Sequence, residues 1–392
     1  MTYQVLARKY RPQTFRDLVG QEALVKTLTN AITNNKIHHA YLFTGIRGVG
    51  KTTTARIVAK SLNCEMGLAI EPCGTCSNCT SITAGNHPDV FEFDAASNRG
   101  IDDAKELLSG IVYEPITARK KIYIIDEVHM MTKEAFNSLL KTLEEPPANV
   151  VFIFATTEVN KVPATILSRC QKFVLRGLSA EELSVHLRSI CQKEGVAIDD
   201  NALFLIGTKA DGSVRDSLSI LDQVIISADE FVASGESITA DLVSRVINVV
   251  DSSDVVELLN FITSNKPAES IVKLNQMLAS SFTEEDVING LMALLNDILK
   301  VKVKALPEEL VKPDVVEIAK ELSVPLLLRL WQVVVKSLAE LYMPGSNKAK
   351  IEIAIIKMCY GATLPSPTEI VTKIKDSNIS EVLSSFNAQI VD

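Results

Sequence analysis

No stretch of this 392-residue chain approaches 18 consecutive apolar residues, so a membrane-spanning helix is not expected. The opening MTYQVLARKYRPQTF is polar and basic and lacks the apolar core of a secretion signal. That points to the cytoplasm, where disulfides rarely persist. A basic excess is missing too, because the net charge is −8 at pH 7. Residues 1–178 hold 21 Lys and Arg against 17 Asp and Glu; residues 179–392 hold 19 against 31. Non-specific nucleic-acid binding needs a clear positive excess, so any DNA contact is local or shared with partners. Internal repeats and low-complexity blocks are also absent. What remains is a globular balance, 47% hydrophobic and 22% charged. The length exceeds one ordinary core and implies two or three domains.

Residues 41–176 alternate short apolar runs with helical periodicity. YLFTG (41–45), VFEFD (90–94), KIYIIDE (121–127), VVFIFATT (150–157) and KFVLR (172–176) predict buried strands. Segments 51–63, 101–112 and 133–145 between them predict helices. The alternation implies a parallel sheet covered on both faces, an α/β fold. After about residue 179 the strands stop. Ser179-Ala-Glu-Glu182 is a capping-box pattern, and Gly195, Gly207 and Gly212 are expected to punctuate short helices to about 243. Longer amphipathic helices are expected at 268–280, 284–303 and 324–341, broken near Lys266-Pro267, Leu306-Pro307 and 344–347. Trp331 is expected in their core. The expected division is 1–178 for the α/β domain, 179–243 for a small helical domain, 244–362 for an all-α domain and 363–392 for a linker and tail.

Gly45-Ile46-Arg47-Gly48-Val49-Gly50-Lys51-Thr52 fits GxxxxGK[ST], with a strand before it and a helix after it. Glycines let backbone N–H groups wrap phosphates, Lys51 reaches the β- and γ-phosphates, and the Thr52 hydroxyl binds Mg²⁺. The complementary half of such a site is an acid at the end of a buried strand, which Asp126-Glu127 supplies. The aspartate can hold Mg²⁺ through water, and the glutamate can polarise the attacking water. His129, close behind, is given no role. Thr156 and Thr157 end the next strand, at the sheet edge where ligands bind; a hydroxyl there could orient water or sense the γ-phosphate, or simply cap the strand end.

These motifs resemble the AAA+ ATPases. Ser168-Arg169-Cys170, LARKYRPQTFRDLVGQE (6–22), IHHAYLFTG (37–45), IDEVHMM (125–131), LLKTLEEPP (139–147) and TILSRC (165–170) resemble one branch closely, the gamma/tau family of bacterial DNA polymerase III clamp-loader subunits. The likeness runs from residue 2 to about 223. It implies an AAA+ P-loop domain, a helical lid and a helical collar that holds five subunits in a ring. It implies that Arg169 is an arginine finger acting on the ATP site of a neighbouring subunit, where a guanidinium stabilises phosphoryl charge. Arg215 would be the lid arginine that touches its own subunit's nucleotide. Thr157 would take the sensor position at the end of its strand, with Thr156 as the alternative. Ala7, Arg8, Tyr10, Arg11, Pro12 and Val19 would cradle adenine and ribose, and Thr53 would join the phosphate loop.

Four of the seven cysteines fall in CEMGLAIEPCGTCSNC, at Cys64, Cys73, Cys76 and Cys79. Two overlapping CxxC steps bring thiolates together on one turn, and four thiolates fit a closed, structural Zn²⁺ site. An iron–sulfur cluster uses the same ligands. The family likeness implies a zinc module at this place. Cys170, Cys191 and Cys359 are unpaired by spacing and are expected to be buried thiols.

The implied function is an ATPase motor of the clamp loader, within the DNA-directed DNA polymerase holoenzyme. Its cofactors would be ATP, Mg²⁺ and Zn²⁺. Its partners would be delta, delta-prime and further gamma/tau copies in a pentameric ring, the sliding clamp and primer–template DNA, with no membrane. Arg99 is a candidate phosphate contact. The alternatives are another AAA+ DNA-remodelling ATPase, such as a helicase loader or Holliday-junction translocase, and a non-catalytic scaffold, which would be expected to lose Lys51 or the acidic pair.

Overall fold

Runs that are apolar at consecutive positions, rather than alternating, need cover on both faces, and they form the centre of the sheet. The computed structural model describes residues 3–68, 70–97, 100, 109–228, 236–246, 252–280, 282–305 and 313–364. Five strands, β1 (Ala40–Thr44), β2 (Val90–Asp94), β3 (Lys121–Asp126), β4 (Val150–Thr156) and β5 (Gln171–Val174), pair in the order β2-β3-β4-β1-β5. Every neighbouring pair is parallel. The central strands β1, β3 and β4 are buried almost throughout, whereas the edges β2 and β5 are half-exposed. The adjacent strands β1 and β4 send their connections in opposite directions, and in open parallel sheets ligands bind outside the carboxyl ends of the strands at such a point.

In the first unit the helices are α1 (Leu6–Lys9), α2 (Glu22–Thr33), α3 (Lys51–Asn63), α4 (Ser77–Ala84), α5 (Lys133–Glu144), α6 (Ala164–Leu167), α7 (Ala180–Glu194), α8 (Asp200–Lys209), α9 (Val214–Ser227) and α10 (Ala240–Val246). Leu28 of α2 and Ile57 and Leu62 of α3 cover Phe43, Ile124 and Ile153 on one face of the sheet. Phe136, Leu139 and Leu143 of α5 cover Ile125, Phe152 and Phe154 on the other. Residues 101–108 of the helix expected at 101–112 lie outside the described residues, as does Arg99; residues 110–113 form a turn.

The capping box at Ser179 is formed, and Gly195 ends α7 in the left-handed region at φ 70°. Gly207 departs from expectation, because it lies inside α8 and punctuates nothing. A Cβ there would sit 2.7 Å from the Ala180 carbonyl oxygen, so the glycine serves close packing of α8 on the start of α7.

The chain divides into two compact units, 1–247 and 248–392. The second contains α11 (Ser252–Thr263), α12 (Pro267–Ala279), α13 (Glu284–Lys302), α14 (Pro313–Glu321), α15 (Val324–Leu341) and α16 (Asn347–Thr363). Pro267 occupies the first turn of α12, where its missing N–H is not needed. Thr283 and Asp286 form a capping box at the start of α13. Leu258, Leu291, Leu295, Leu327 and Ile355 anchor one apolar core, with Trp331 partly buried against it. Leu306-Pro307 and most of the expected tail lie outside the described residues. Among the described residues no single helix is long and apolar enough to cross a membrane.

Candidate functional site

The loop after β1 is shaped by glycines that only a residue without Cβ tolerates there. Gly48 and Gly50 hold φ at 74° and 105°. A Cβ on Gly48 would also strike the Ser213 hydroxyl at 2.0 Å, because the start of α9 lies against the loop. The Arg215 N–H donates to the Gly48 carbonyl at 3.1 Å, so backbone fastens α9 to the phosphate loop. The Arg215 side chain is exposed, as are Ile46 and Arg47, whereas Val49 is buried. In α3 the first intrahelical bond runs from the Thr54 N–H to the Gly50 carbonyl at 2.8 Å. The N–H groups just before it are the orphan donors of a helix start, which favour anions.

Lys51 is 5% exposed and donates to the carbonyls of Gly45 at 3.0 Å and Ile46 at 2.9 Å. Burial pushes its ammonium below the ordinary lysine value, against the opposing fields of Glu127 and Asp126. The Thr52 hydroxyl donates to the Asp126 carboxylate, across from α3 to the end of β3. These are two hard oxygen groups side by side, the donor set Mg²⁺ takes beside substrate phosphates. Glu127 follows in the left-handed region, φ 45° and ψ 45°, a conformation that costs a non-glycine residue about 1–3 kcal/mol. Its Oε2 accepts from the Thr157 N–H at 3.2 Å and the Thr157 hydroxyl at 3.1 Å. Thr156 is fully buried, and its hydroxyl faces the His129 ring at 3.0 Å. Of the two threonines, Thr157 touches the acidic pair directly.

The N-terminal segment meets the same region. Arg11 donates through Nε to the Thr53 hydroxyl at 3.0 Å. Burial first, then the nearby charges of Arg56 and Arg215, push its guanidinium down, opposed by Glu92 and Asp126. Tyr10 donates to Glu194 of α7 at 2.5 Å, and burial followed by that carboxylate pushes its phenol up to about 12. Ala7 and Pro12 are half-buried, Arg8 is exposed, and Val19 packs on Leu178, Leu183 and Ala210. Arg169 is held elsewhere: it pairs with Glu144 at 2.6 Å and donates to the Thr165 carbonyl at 2.7 Å. It makes no polar contact with Lys51, Thr52, Asp126 or Glu127 among the described residues.

Cys64 ends α3, and Cys76 caps the start of α4. The sulfurs of Cys64, Cys73, Cys76 and Cys79 all lie within 4.8 Å of one another. Zn–S bonds of about 2.3 Å in a tetrahedron place sulfurs roughly 3.8 Å apart, so the four thiols fit such an ion. Three backbone N–H groups point at the sulfurs: Cys73 at Cys64, Cys76 at Cys73 and Cys79 at Cys76, at 3.4, 3.3 and 3.4 Å. Such donors, from Thr75 and Cys76, lower the Cys73 thiol to about 6, while burial raises that of Cys79. Cys191 and Cys359 are buried as expected; Cys170 is only partly so, although burial still pushes its thiol up to about 12.

Sequence reasoning gave no role to the polar bracing of this module. Arg119 donates to the Cys64 carbonyl and, at 3.1 Å, to that of Leu62. Asn78 donates to the Asn63 carbonyl at 2.8 Å and meets His87 at 3.1 Å. Asp89 is fully buried and accepts the N–H groups of Ile116, Thr117 and Ala118 at 2.7–2.9 Å. The one sequence signal was Asp89 itself, an acid at the mouth of an apolar strand.

Three family models match: "DNA polymerase III, delta subunit" over residues 20–179, "DNA polymerase III clamp loader subunit, ATPase lid domain" over 182–230, and "DNA polymerase III subunits gamma and tau domain III" over 238–374. The DNA polymerase III subunit tau of Salmonella typhimurium is 44% identical over 77% of this chain and 46% of its own length. The DNA polymerase III subunit gamma of Buchnera aphidicola subsp. Schizaphis graminum is 36% identical over 91% of this chain and 98% of its own. The chain spans less than half the length of the first tau relatives it matches. The solved Thermotoga maritima RuvB Holliday junction branch migration motor is 21% identical over 64% of this chain and 79% of its own, with a TM-score of 0.46. Motifs, parallel sheet and relatives agree, and the chain belongs to the gamma/tau family of DNA polymerase III clamp-loader AAA+ subunits.

Proposed function

We propose that this chain is an ATPase motor subunit of a bacterial clamp loader, using ATP to open a sliding clamp and place it on primed DNA. The observation that carries the reading is the meeting of Lys51 and Thr52 on α3 with Asp126 and Glu127 at the end of β3. A non-catalytic scaffold has no need of all four. The orphan N–H groups at the start of α3 and Lys51 bind the phosphates. Thr52 and Asp126 hold Mg²⁺, which when bound neutralises charge on the phosphate oxygens. Glu127 accepts a proton from the attacking water, and Thr157 holds that carboxylate. Gly45–Thr53 wraps the triphosphate, Arg215 reaches it from α9, and the segment with Ala7, Arg8, Tyr10, Arg11, Pro12 and Val19 borders the base. Arg169 serves the site of a neighbouring subunit, which accords with its contacts lying away from its own phosphate loop. Residues 1–178, 179–243 and 244–362 act as motor, lid and collar. Partners are further copies of this chain and the delta and delta-prime subunits in a five-membered ring, together with clamp and primer–template DNA, in the cytoplasm. Cys64, Cys73, Cys76 and Cys79 hold Zn²⁺, which when bound ties the module together.

Reconstituted loader tests this reading. Wild-type hydrolysis should rise with clamp plus primed DNA. Arg169→Ala should keep nucleotide binding but lose that stimulated rate by about a thousandfold. Normal stimulated hydrolysis by Arg169→Ala loader would remove the finger. Stimulation by junction or duplex DNA without clamp would favour a translocase.

A further inference from the structure

His129, given no role by the sequence, has a defined place in the structure. Its side chain is 6% exposed and lies between two glutamates. Nδ1 lies 3.0 Å from the Thr156 hydroxyl and 3.4 Å from Glu127 Oε2, and Nε2 lies 3.4 Å from Glu158 Oε1. Glu158 is fixed in turn: its N–H donates to the Thr156 hydroxyl at 3.0 Å, and its carboxylate pairs with Lys161 at 2.8 Å. The polar contacts on Glu127 converge on one oxygen. The Thr157 N–H, the Thr157 hydroxyl and the His129 ring all face Oε2. Oε1 has no polar partner among the described residues.

We propose that His129 is a positioning residue for Glu127: its ring, hydrogen-bonded through Nδ1 to the Thr156 hydroxyl, lies against Oε2, which Thr157 holds, and its Nε2 edge faces Glu158. Oε1 is thereby left to the attacking water. The inference rests on Glu127 being the group that polarises that water. The chemistry gives the ring a purpose that packing alone does not. A glutamate side chain has several rotatable bonds, and a base that wanders by about 1 Å loses rate by roughly a hundredfold. Thr157 restrains Oε2 from the end of β4, and His129 restrains it from the turn after β3, so two elements fix one oxygen. The left-handed backbone at Glu127 starts the turn that carries the ring, and the Met130 N–H closes it on the Glu127 carbonyl at 2.9 Å.

Two amides separate the ring's two edges, because an asparagine nitrogen can stand where Nδ1 stands and a glutamine nitrogen where Nε2 stands. In reconstituted loader with clamp and primed DNA, His129→Ala should lower kcat by about ten- to a hundredfold, with nucleotide affinity of the full chain unchanged. His129→Asn should recover most of that rate, while His129→Gln and the ring-filling His129→Phe should not. If His129→Ala does not fold, the contrast between Asn and Gln decides. Unchanged kcat in His129→Ala, recovery by Phe, or equal rates for Asn and Gln would overturn the proposal. Glu127→Gln separates the two levels. Loss of hydrolysis there with normal His129 variants sinks the positioning role alone, whereas retained hydrolysis in Glu127→Gln sinks the assignment of Glu127.

Discussion

The phosphate loop and the cysteine module lie at opposite ends of α3 and use backbone N–H groups in opposite senses. At the start of the helix, left-handed glycines leave the N–H groups before Thr54 without intrahelical partners, and Lys51 rests on its own loop's carbonyls. At its end, the N–H groups of Cys73, Cys76 and Cys79 are turned inward onto sulfur. Donors left open suit a ligand that comes and goes; donors committed to the protein's own thiols suit an ion that stays. The contrast extends to the side chains. Asp126 and Glu127 converge on the loop from another strand, whereas Arg119, Asn63, Asn78, His87 and Asp89 brace the module without reaching the loop. One helix therefore joins the phosphate loop to the cysteine module.

Breaking the loop should produce the largest effect and leave the module alone. Lys51→Ala should reduce hydrolysis by about a thousandfold, ~4 kcal/mol of transition-state stabilisation. Metal content and Tm should stay at wild-type values. Loss of metal from Lys51→Ala, read by elemental analysis, would show that the two ends are not independent.

The reverse experiment comes next in size. Cys79→Ser should abolish metal retention and lower stability by about 3 kcal/mol, read as a lower melting temperature. Nucleotide affinity of the folded chain should change by less than about threefold. Elemental analysis of the wild type should return zinc; iron would reassign the ion.

Asp89 gives the smallest and most local test. Burial pushes its carboxyl up, but the N–H groups of Thr117, Ile116 and Ala118 outweigh this and hold it below the ordinary aspartate value. A carboxylate with a depressed folded value contributes stability that is present above its unfolded pKa of about 3.9 and is lost as pH falls through the folded value. Asp89→Asn should therefore cost about 2 kcal/mol at neutral pH. It should also flatten the stability profile below about pH 4. An unchanged acid profile, measured by urea unfolding from pH 2 to 7, would move the acid sensitivity to other carboxylates.

Much was legible along the chain because the informative patterns are local. GxxxxGK[ST] between an apolar run and a helix specifies strand, loop and helix within a few residues. The two CxxC steps place three thiols on one turn, and Ser179–Glu182 caps α7 by itself. What stayed hidden depended on contacts between distant segments. Gly207 looked like a helix breaker until the Ala180 backbone was found against it, 27 residues away in sequence. His129 and Thr156 meet only because β3 and β4 are neighbours in the sheet, and nothing in IDEVHMM announces that pairing. Arg11 reaches Thr53, and Tyr10 reaches Glu194 across 184 residues.

The sequence by itself determined the five strands, the phosphate loop, the acidic pair and the four thiols, because backbone conformation and ligand chemistry are written in residue type and short spacing. Only the tertiary structure decided how the acids are oriented. Which oxygen of Glu127 is held, which threonine holds it and where Arg169 rests depend on strand order and on a turn in the left-handed region. Those follow from burying many apolar faces at once, a condition that no short stretch of sequence expresses.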